Sequence, residues 1–232
     1  MADRTPVADG KFLISRGMRF PLDPEILPKQ VRVLLRTDGY EAKEARAAYR
    51  LIKEGDVVME LGAGIGFMST LIATKTRAAE VHCFEANPRL IPYIEAVHAA
   101  NGVTNAHIHH ALLGDKPGRR TFYQRASILD SSLDPLPGDD GTVEKVQVPV
   151  RGAAKALADI RPSVLVCDIE GAEVELLPKL DLSGLRAVLI ELHPQWVGKE
   201  GIAQVFEAMR RAGLVFFPRW SQGKVAVFRS DW

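Results

Sequence analysis

From Asp56 onward, short apolar runs of strand length alternate with stretches whose apolar residues recur at helical spacing. "DVVMEL" predicts a strand and "GFMSTLIATKT" a helix. "AEVHCFEA" predicts a second strand, with a helix after it in "PRLIPYIEAVHAAN". Pro88 suits a first turn, whereas Pro92 five positions into the helix moves its start later. "NAHIHHALLG" predicts a third strand. "RRTFYQRA" and "VEKVQVPV" predict two more, separated by the Ser/Asp/Pro/Gly-rich stretch "SILDSSLDPLPGDDGT", which reads as a loop. The alternation then resumes with "AAKALADI" (helix), "SVLVCDI" (strand), "AEVELLPKL" (helix), "RAVLIELH" (strand) and "EGIAQVFEAMRRAG" (helix). "LVFFPRW" and "KVAVFRS" close the chain as a hairpin around "SQG". Upstream, "YEAKEARAAYRLIKEGD" is helical, with Ala45, Ala48, Tyr49 and Ile52 on one face and Gly55 closing it. The first 30 residues, with Pro6, Pro21, Pro24 and Pro28, read as an irregular or hairpin-bearing lead-in.

This order predicts a three-layer α/β fold on a mostly parallel sheet, with an antiparallel edge strand from the last hairpin. Such sheets bind ligands beyond the carboxyl ends of their strands. That singles out Glu60, Glu85, the Ala111–Asp115 turn, Asp168–Glu170 and Glu191–His193.

Composition adds little. The 232 residues are 47% hydrophobic and 25% charged, with formal net charge +1, which favours neither nucleic acid nor an acidic membrane. Cys83 and Cys167 lie in apolar runs and read as reduced core thiols. No signal-type segment opens the chain and no run reaches a membrane span, so a cytoplasmic protein is expected.

"VVMELGAGIGFM" carries the first candidate chemistry. Glycines directly after a strand allow a tight turn and close approach of a ligand to bare backbone. A phosphate-cradling loop needs Lys after its last glycine, and none follows Gly66. The dinucleotide spacing G-x-G-x-x-G also fails, because Phe67 stands at the third glycine's place. Glu60, two residues before Gly62, would repel a pyrophosphate and attract a cation. S-adenosylmethionine supplies one, through its ammonium and sulfonium groups, and carries a ribose diol without phosphate. Glu85, at the end of the next strand, suits that diol through charge-assisted hydrogen bonds.

With these residues in register the sequence resembles the FkbM family of class I S-adenosylmethionine-dependent methyltransferases. The likeness runs in order from Gly39 to Pro194. It rests on "GYEAKEARAAYRLIKEGDVVMELGAGIGFMSTLIA", "VHCFEANP", "HALLGD", "SSL", "CDIEGAEVELL" and "ELHP". Glu60 stands where the family usually has Asp, Gly64 where Asn is usual, and Ala86 where Pro is common. The resemblance implies a Rossmann-like, mostly parallel seven-stranded sheet with an antiparallel C-terminal hairpin strand. It implies a methyltransferase domain over 39–232, with 1–38 as a lead-in or cap.

Carried over by position, Glu60, Gly62, Ala63, Gly64 and Gly66 would seat the methionine end of the cofactor. Glu85 would hold the ribose with Asn87 nearby. Leu112 and Asp115 would flank the adenine, although Asp115 reads equally as a turn-stabilising residue. Tyr40 and Glu41 would close over the cofactor, or Glu41 is simply a first-turn acid. Ser132, beside Ser131, is either a cofactor contact or part of a polar loop.

Asp168, Glu170, Glu191 and His193 form the catalytic candidates at neighbouring strand ends, with Asp168 and Glu170 sharing a side if the strand continues. Either His193 or Asp168 takes a proton from an acceptor hydroxyl, or a divalent cation such as Mg²⁺ on Asp168 and Glu191 lowers the hydroxyl pKa. His193 also reads as a strand-end histidine bonded to backbone, and Glu173 as a solvated helix residue. "HIHH" (107–110) reads as a half-exposed strand rather than a metal site, because no carboxylate stands near it in sequence.

The expected activity is O-methylation of a hydroxyl on a sugar, a saccharide or glycolipid, or a natural product. Two readings compete: a nicotinamide-dependent oxidoreductase, which the loop spacing disfavours, and a non-catalytic cofactor-binding protein, which has no need to gather these charges. Apolar residues near "RFPLDPEILP" offer a surface for a homo-oligomer.

Overall fold

The computed structural model describes residues 11–125 and 143–231. The proposed contact at Ser131 and Ser132 lies outside them. The chain opens with a hairpin, β1 (Phe12–Ser15) and β2 (Met18–Pro21), followed by α1 (Lys29–Arg36) and α2 (Ala42–Leu51). The alternating region comprises β3 (Val57–Leu61), α3 (Phe67–Lys75), β4 (Glu80–Glu85), α4 (Ile91–Ala100) and β5 (Ala106–His110). After β6 (Leu112–Gly114), β7 (Gly118–Gln124) and β8 (Glu144–Gly152) come α5 (Ala153–Ile160), β9 (Val164–Cys167) and the short α6 (Glu173–Leu176). β10 (Ala187–Glu191), α7 (Pro194–Arg211), β11 (Val215–Phe216) and β12 (Val225–Arg229) complete it.

The main sheet has seven strands in the order β11-β12-β10-β9-β3-β4-β5. All neighbours from β10 to β5 run parallel, and only β12 is antiparallel to both of its neighbours. The antiparallel strand is therefore not the edge: β11 lies outside it. Strand order reverses between β3 and β9, which opens a crevice at their carboxyl ends.

Period-two alternation along the central strands feeds two apolar cores, one on each sheet face. Val58, Val166 and Leu189 pack on one side, Met59, Leu165 and Val188 on the other. Glu60 falls in line with Val58, so its carboxyl is carried beneath the helices of the first face and is 2% exposed. That core also includes Met18, Phe20, Leu27 and Leu35 from the lead-in, with Phe20 stacked on Phe67 at 5.7 Å.

Several sequence expectations change in detail. "NAHIHHALLG" is not one strand. Ala111 N–H turns back to the carbonyls of Glu85 and His109, and β6 leaves the main sheet to pair with β8. β6, β7 and β8 form a separate three-stranded sheet. α1 was hidden among prolines, although Val31 and Leu35 sit at helical spacing and are its buried residues. Tyr49 does not join the buried face of α2: it is 41% exposed, and Ala47 and Leu51 are buried instead. α4 begins at Ile91, so Pro92 falls in its first turn, where no hydrogen bond is lost. α7 begins earlier than its periodicity indicates and kinks at Gly198. Both cysteines are free and buried. Among the described residues no helix is long and apolar enough to cross a membrane.

The amino ends of the central strands are tied by one ion pair. Arg186 Nε donates to Asp56 at 2.8 Å, and a second guanidinium contact closes the pair. Ser163 Oγ and Lys53 N–H also donate to the Asp56 carboxylate. Burial works against the charged form of Asp56, yet these donors outweigh it and hold its pKa below the usual range. Asp56→Ala leaves Arg186 facing buried backbone without its counter-charge. The expected cost is about 3 kcal/mol, at the low end for a broken buried pair because Arg186 is partly exposed. Urea denaturation of the variant measures it.

Candidate active site

Gly62 stands at the floor of the crevice between β3 and β9. Its φ is 84°, and a Cβ there would lie 1.8 Å from the Asp168 carbonyl oxygen. Only glycine lets the two strand ends approach this closely. Gly62 and Ala63 both donate N–H to the Phe84 carbonyl, at 3.0 and 3.1 Å. Gly66, also in the left-handed region, caps α3.

Glu85 lies across this loop, nearly buried. Its Oε2 accepts from Gly64 N–H at 2.8 Å and its Oε1 from Asn87 N–H at 2.7 Å. Each oxygen keeps a further lone pair for a ligand donor. Burial raises the Glu85 pKa to about 7 against the pull of these N–H groups. Asn87 is held by Gln124, whose amide donates to its Oδ1 at 2.9 Å.

Glu60 Oε2 is buried with no hydrogen-bond partner among the described residues. Burial, then the charge of Glu85, raises its pKa to about 8, and Ser69 on α3 only partly offsets this. Glu60 lines a cavity of about 20 Å³ with Glu41, Glu44, Gly62, Met68, Asp168 and Glu191. Five carboxyl groups around room for about one water make a pocket that favours a cation. Glu41 lines it, with Tyr40 adjacent in the chain. Glu41 sits at φ 43°, strained for a non-glycine residue, and bonds to the Tyr40 hydroxyl. Burial raises both groups' pKa values, and the charge of Asp168 adds to it. The Tyr40 ring packs edge-on against Phe67 at 5.2 Å.

A second cluster adjoins the first through Asp168. His193 is 3% exposed. Its Nδ1 lies 3.1 Å from Glu173 Oε1, and its Nε2 lies 3.2 Å from Glu170 Oε2 and 3.5 Å from Asp168 Oδ1. Glu173 also accepts from Ile169 N–H, and as a buried acceptor it fixes Nδ1–H and turns Nε2 toward the crevice. Burial pushes the imidazole pKa down, but Glu173, Glu170 and Asp168 outweigh it and the net direction is up. Asp168 is also pushed up, by burial and by Glu191 and Glu170. Its Oδ1 has no hydrogen-bond donor among the described residues.

Asp168 and Glu170 converge by a different route from strand alternation. β9 ends at Cys167, and Glu170 reaches His193 because its own φ is 54°. Asp168, Glu170 and His193 present ligand atoms within a single ion's reach, and Glu191 stands outside that group. Leu112 is half-buried next to Ala111, whose N–H meets the Glu85 carbonyl, whereas Asp115 is exposed on the turn beyond.

Residues 60–216 match the sequence profile of the methyltransferase FkbM domain. The chain belongs to the FkbM methyltransferase family. The match begins at Glu60, so Tyr40 and Glu41 lie before it. No curated protein sequence matches this FkbM chain. Among solved structures it is similar to Trm5b from Pyrococcus abyssi, at 16% identity and TM-score 0.52, over 94% of this chain and 55% of that one. It thus spans about half of that protein's length. A ribosomal protein L11 methylase from Lactobacillus delbrueckii subsp. bulgaricus matches at 14% identity and TM-score 0.49, over 83% and 80% of the two chains. A precorrin-6y C5,15-methyltransferase from Geobacter metallireducens matches at 13% and 0.48, over 91% and 94%. The first of these, at TM-score 0.52, supports the class I methyltransferase fold.

Two acids of this FkbM site escaped the sequence reading. Glu173 is 2% exposed rather than solvated. The available signal was its place in "DIEGAE", where a tight turn folds the third acid back toward the first. Glu44 lines the cavity from α2, and no motif pointed to it.

Proposed function

We propose that this chain transfers a methyl group from S-adenosylmethionine to a hydroxyl of a sugar, saccharide, glycolipid or natural-product acceptor. The observation that carries the cofactor reading is the buried Glu60 carboxyl, whose Oε2 has no hydrogen-bond partner among the described residues, in a cavity lined by acids. The donor set suits a cationic methionine end and is hostile to phosphate. Glu85 would take the ribose diol, with Asn87 behind it. S-adenosylmethionine, when bound, supplies an electrophilic methyl group.

The chain's own part is to bind, align and manage one proton. His193 Nε2 faces the crevice and accepts the proton of the attacking hydroxyl, and Glu173 stabilises the imidazolium that results. Asp168 and Glu170 orient the hydroxyl from the same side. Because the displacement is a single step, alignment supplies much of the rate. Trp196 supports a ring-shaped acceptor: the residue is 55% exposed and stands beside Gly171, the neighbour of Glu170. The clustering of Asp168, Glu170 and His193 favours a second version in which a divalent cation activates the hydroxyl. Acceptor screens with and without a chelator separate the two.

Calorimetry tests the cofactor. Burial pushes Glu85 up to about 7 and Glu60 up to about 8, so near neutral pH Glu60 is mostly and Glu85 partly protonated, and a cationic ligand displaces these protons. Binding is expected to release protons, and affinity to rise by up to about tenfold per pH unit through pH 6 to 7 for each proton released. The free fold has the opposite slope. It holds more protons than the unfolded chain and loses stability as pH rises from the ordinary carboxyl range through about 8. Absence of binding, or binding of a nicotinamide cofactor in its place, would sink the proposal.

A further inference from the structure

The histidine run at 107–110 lacks a carboxylate nearby in sequence, but the sheet supplies one. β4 and β5 run parallel with His82 opposite His107 and Phe84 opposite His109. Alternation then places Glu80, His82, His107 and His109 on one face. One donor atom from each of Glu80, His82 and His107 comes within 4.8 Å of the other two. Glu80 Oε2 stands 3.2 Å from His82 Nε2, and the His82 and His107 rings stack at 4.7 Å. His82 Nδ1 lies 3.1 Å from His109 Nε2.

We infer that Glu80, His82 and His107 form a surface site for one divalent transition-metal ion of the zinc type, with His109 as the partner that orients His82. Two ligands on a tetrahedral zinc lie about 3.3 Å apart, from bonds of roughly 2.0–2.1 Å. Glu80 and His82 already stand at that separation. Two imidazoles and a carboxylate select zinc, cobalt, nickel or copper over magnesium or calcium. His109 Nε2, accepting from His82 Nδ1–H, leaves the Nε2 lone pair of His82 for the ion, as metal-bound histidines commonly require. Glu80 and His107 are exposed, so water completes the sphere.

The site is separate from the active site. His82 is three residues, about 10 Å along β4, from Glu85. An ion there joins β4 to the edge strand β5 and stabilises that margin of the sheet. Arg151 faces His109, and its positive charge weakens the site relative to a closed zinc cage.

Tag-free, chelator-stripped protein titrated with Co²⁺ and then Zn²⁺ tests this. One Co²⁺ with tetrahedral visible bands, displaced by Zn²⁺, is expected in the Glu170→Gln protein, where the active-site cluster has lost a ligand. His107→Ala and Glu80→Gln should each weaken binding at least about tenfold, and His109→Gln by about tenfold. Glu170→Gln, in the other cluster, should leave it unchanged. Both exposed-residue variants are checked for folding by circular dichroism. Zn²⁺ should raise the melting temperature of Glu170→Gln and not that of the same protein carrying His107→Ala as well. No binding would reduce the cluster to an ordinary Glu–His pair and overturn the inference. Binding that survives His107→Ala in the Glu170→Gln background, or that disappears with Glu170→Gln alone, would overturn it as well.

Discussion

Gly62→Ala is expected to abolish cofactor binding and to destabilise the fold by about 4 kcal/mol or more, the range reserved for changes that break a specific structural requirement. The new Cβ would stand 1.8 Å from the Asp168 carbonyl oxygen and 2.9 Å from its carbon. Both are backbone atoms, so no rotamer relieves the clash. β3 would have to move away from β9, where Asp168 N–H now donates to the Leu61 carbonyl at 2.9 Å. That movement opens the crevice carrying Glu60 and Asp168. Gly64→Ala is the control. Its φ is also positive, but none of the described residues lies within 4 Å of the added methyl. It should cost only about 1 kcal/mol of backbone strain and keep the fold. Urea denaturation with calorimetry of S-adenosylmethionine reads both variants. A Gly62→Ala protein as stable as the unaltered chain would show that the strand ends can part freely.

His193→Ala carries the second large effect. Turnover on an identified acceptor is expected to fall by about 10² to 10⁴, the usual contribution of a positioned acid or base. Cofactor affinity should stay within a few-fold, because His193 does not line the Glu60 cavity. Stability should also fall by about 3 kcal/mol, since Glu173 stays buried with only the Ile169 N–H as partner. Glu173→Gln separates positioning from catalysis. It keeps the shape and removes one of the charges that raise the His193 pKa, so NMR titration should find His193 shifted down. The sign for stability follows. A histidine whose folded pKa is raised stabilises the fold at low pH and loses that contribution as pH rises through the folded value. Removing Glu173's charge should flatten this dependence. An unchanged His193 titration in Glu173→Gln would remove Glu173 from the positioning role.

The Rossmann-like order was legible because parallel strands buried on both faces leave continuous apolar runs such as Val57–Met59 and Val164–Cys167. The glycine loop was legible because its conformation is local: positive φ at Gly62, Gly64 and Gly66 is a demand each residue meets alone. Acids at strand ends were legible because every parallel strand delivers its last residue to the same edge. The sequence by itself thus determined the fold class, the glycine loop and the acids that close its strands.

Tertiary structure decided which acids meet and in what state. Glu173 reaches His193 only because Glu170 and Gly171 turn the chain back after β9. Glu44 reaches the cavity only because α2 packs against β10. Glu60 becomes a carboxyl with a pKa near 8 only once burial removes its water. Glu80 joins His82 and His107 only through the register of two neighbouring strands. Local conformation and apolar periodicity are written in consecutive residues. Desolvation and the meeting of charges depend on distances between residues far apart in the chain, and only the packed sheet and helices set those.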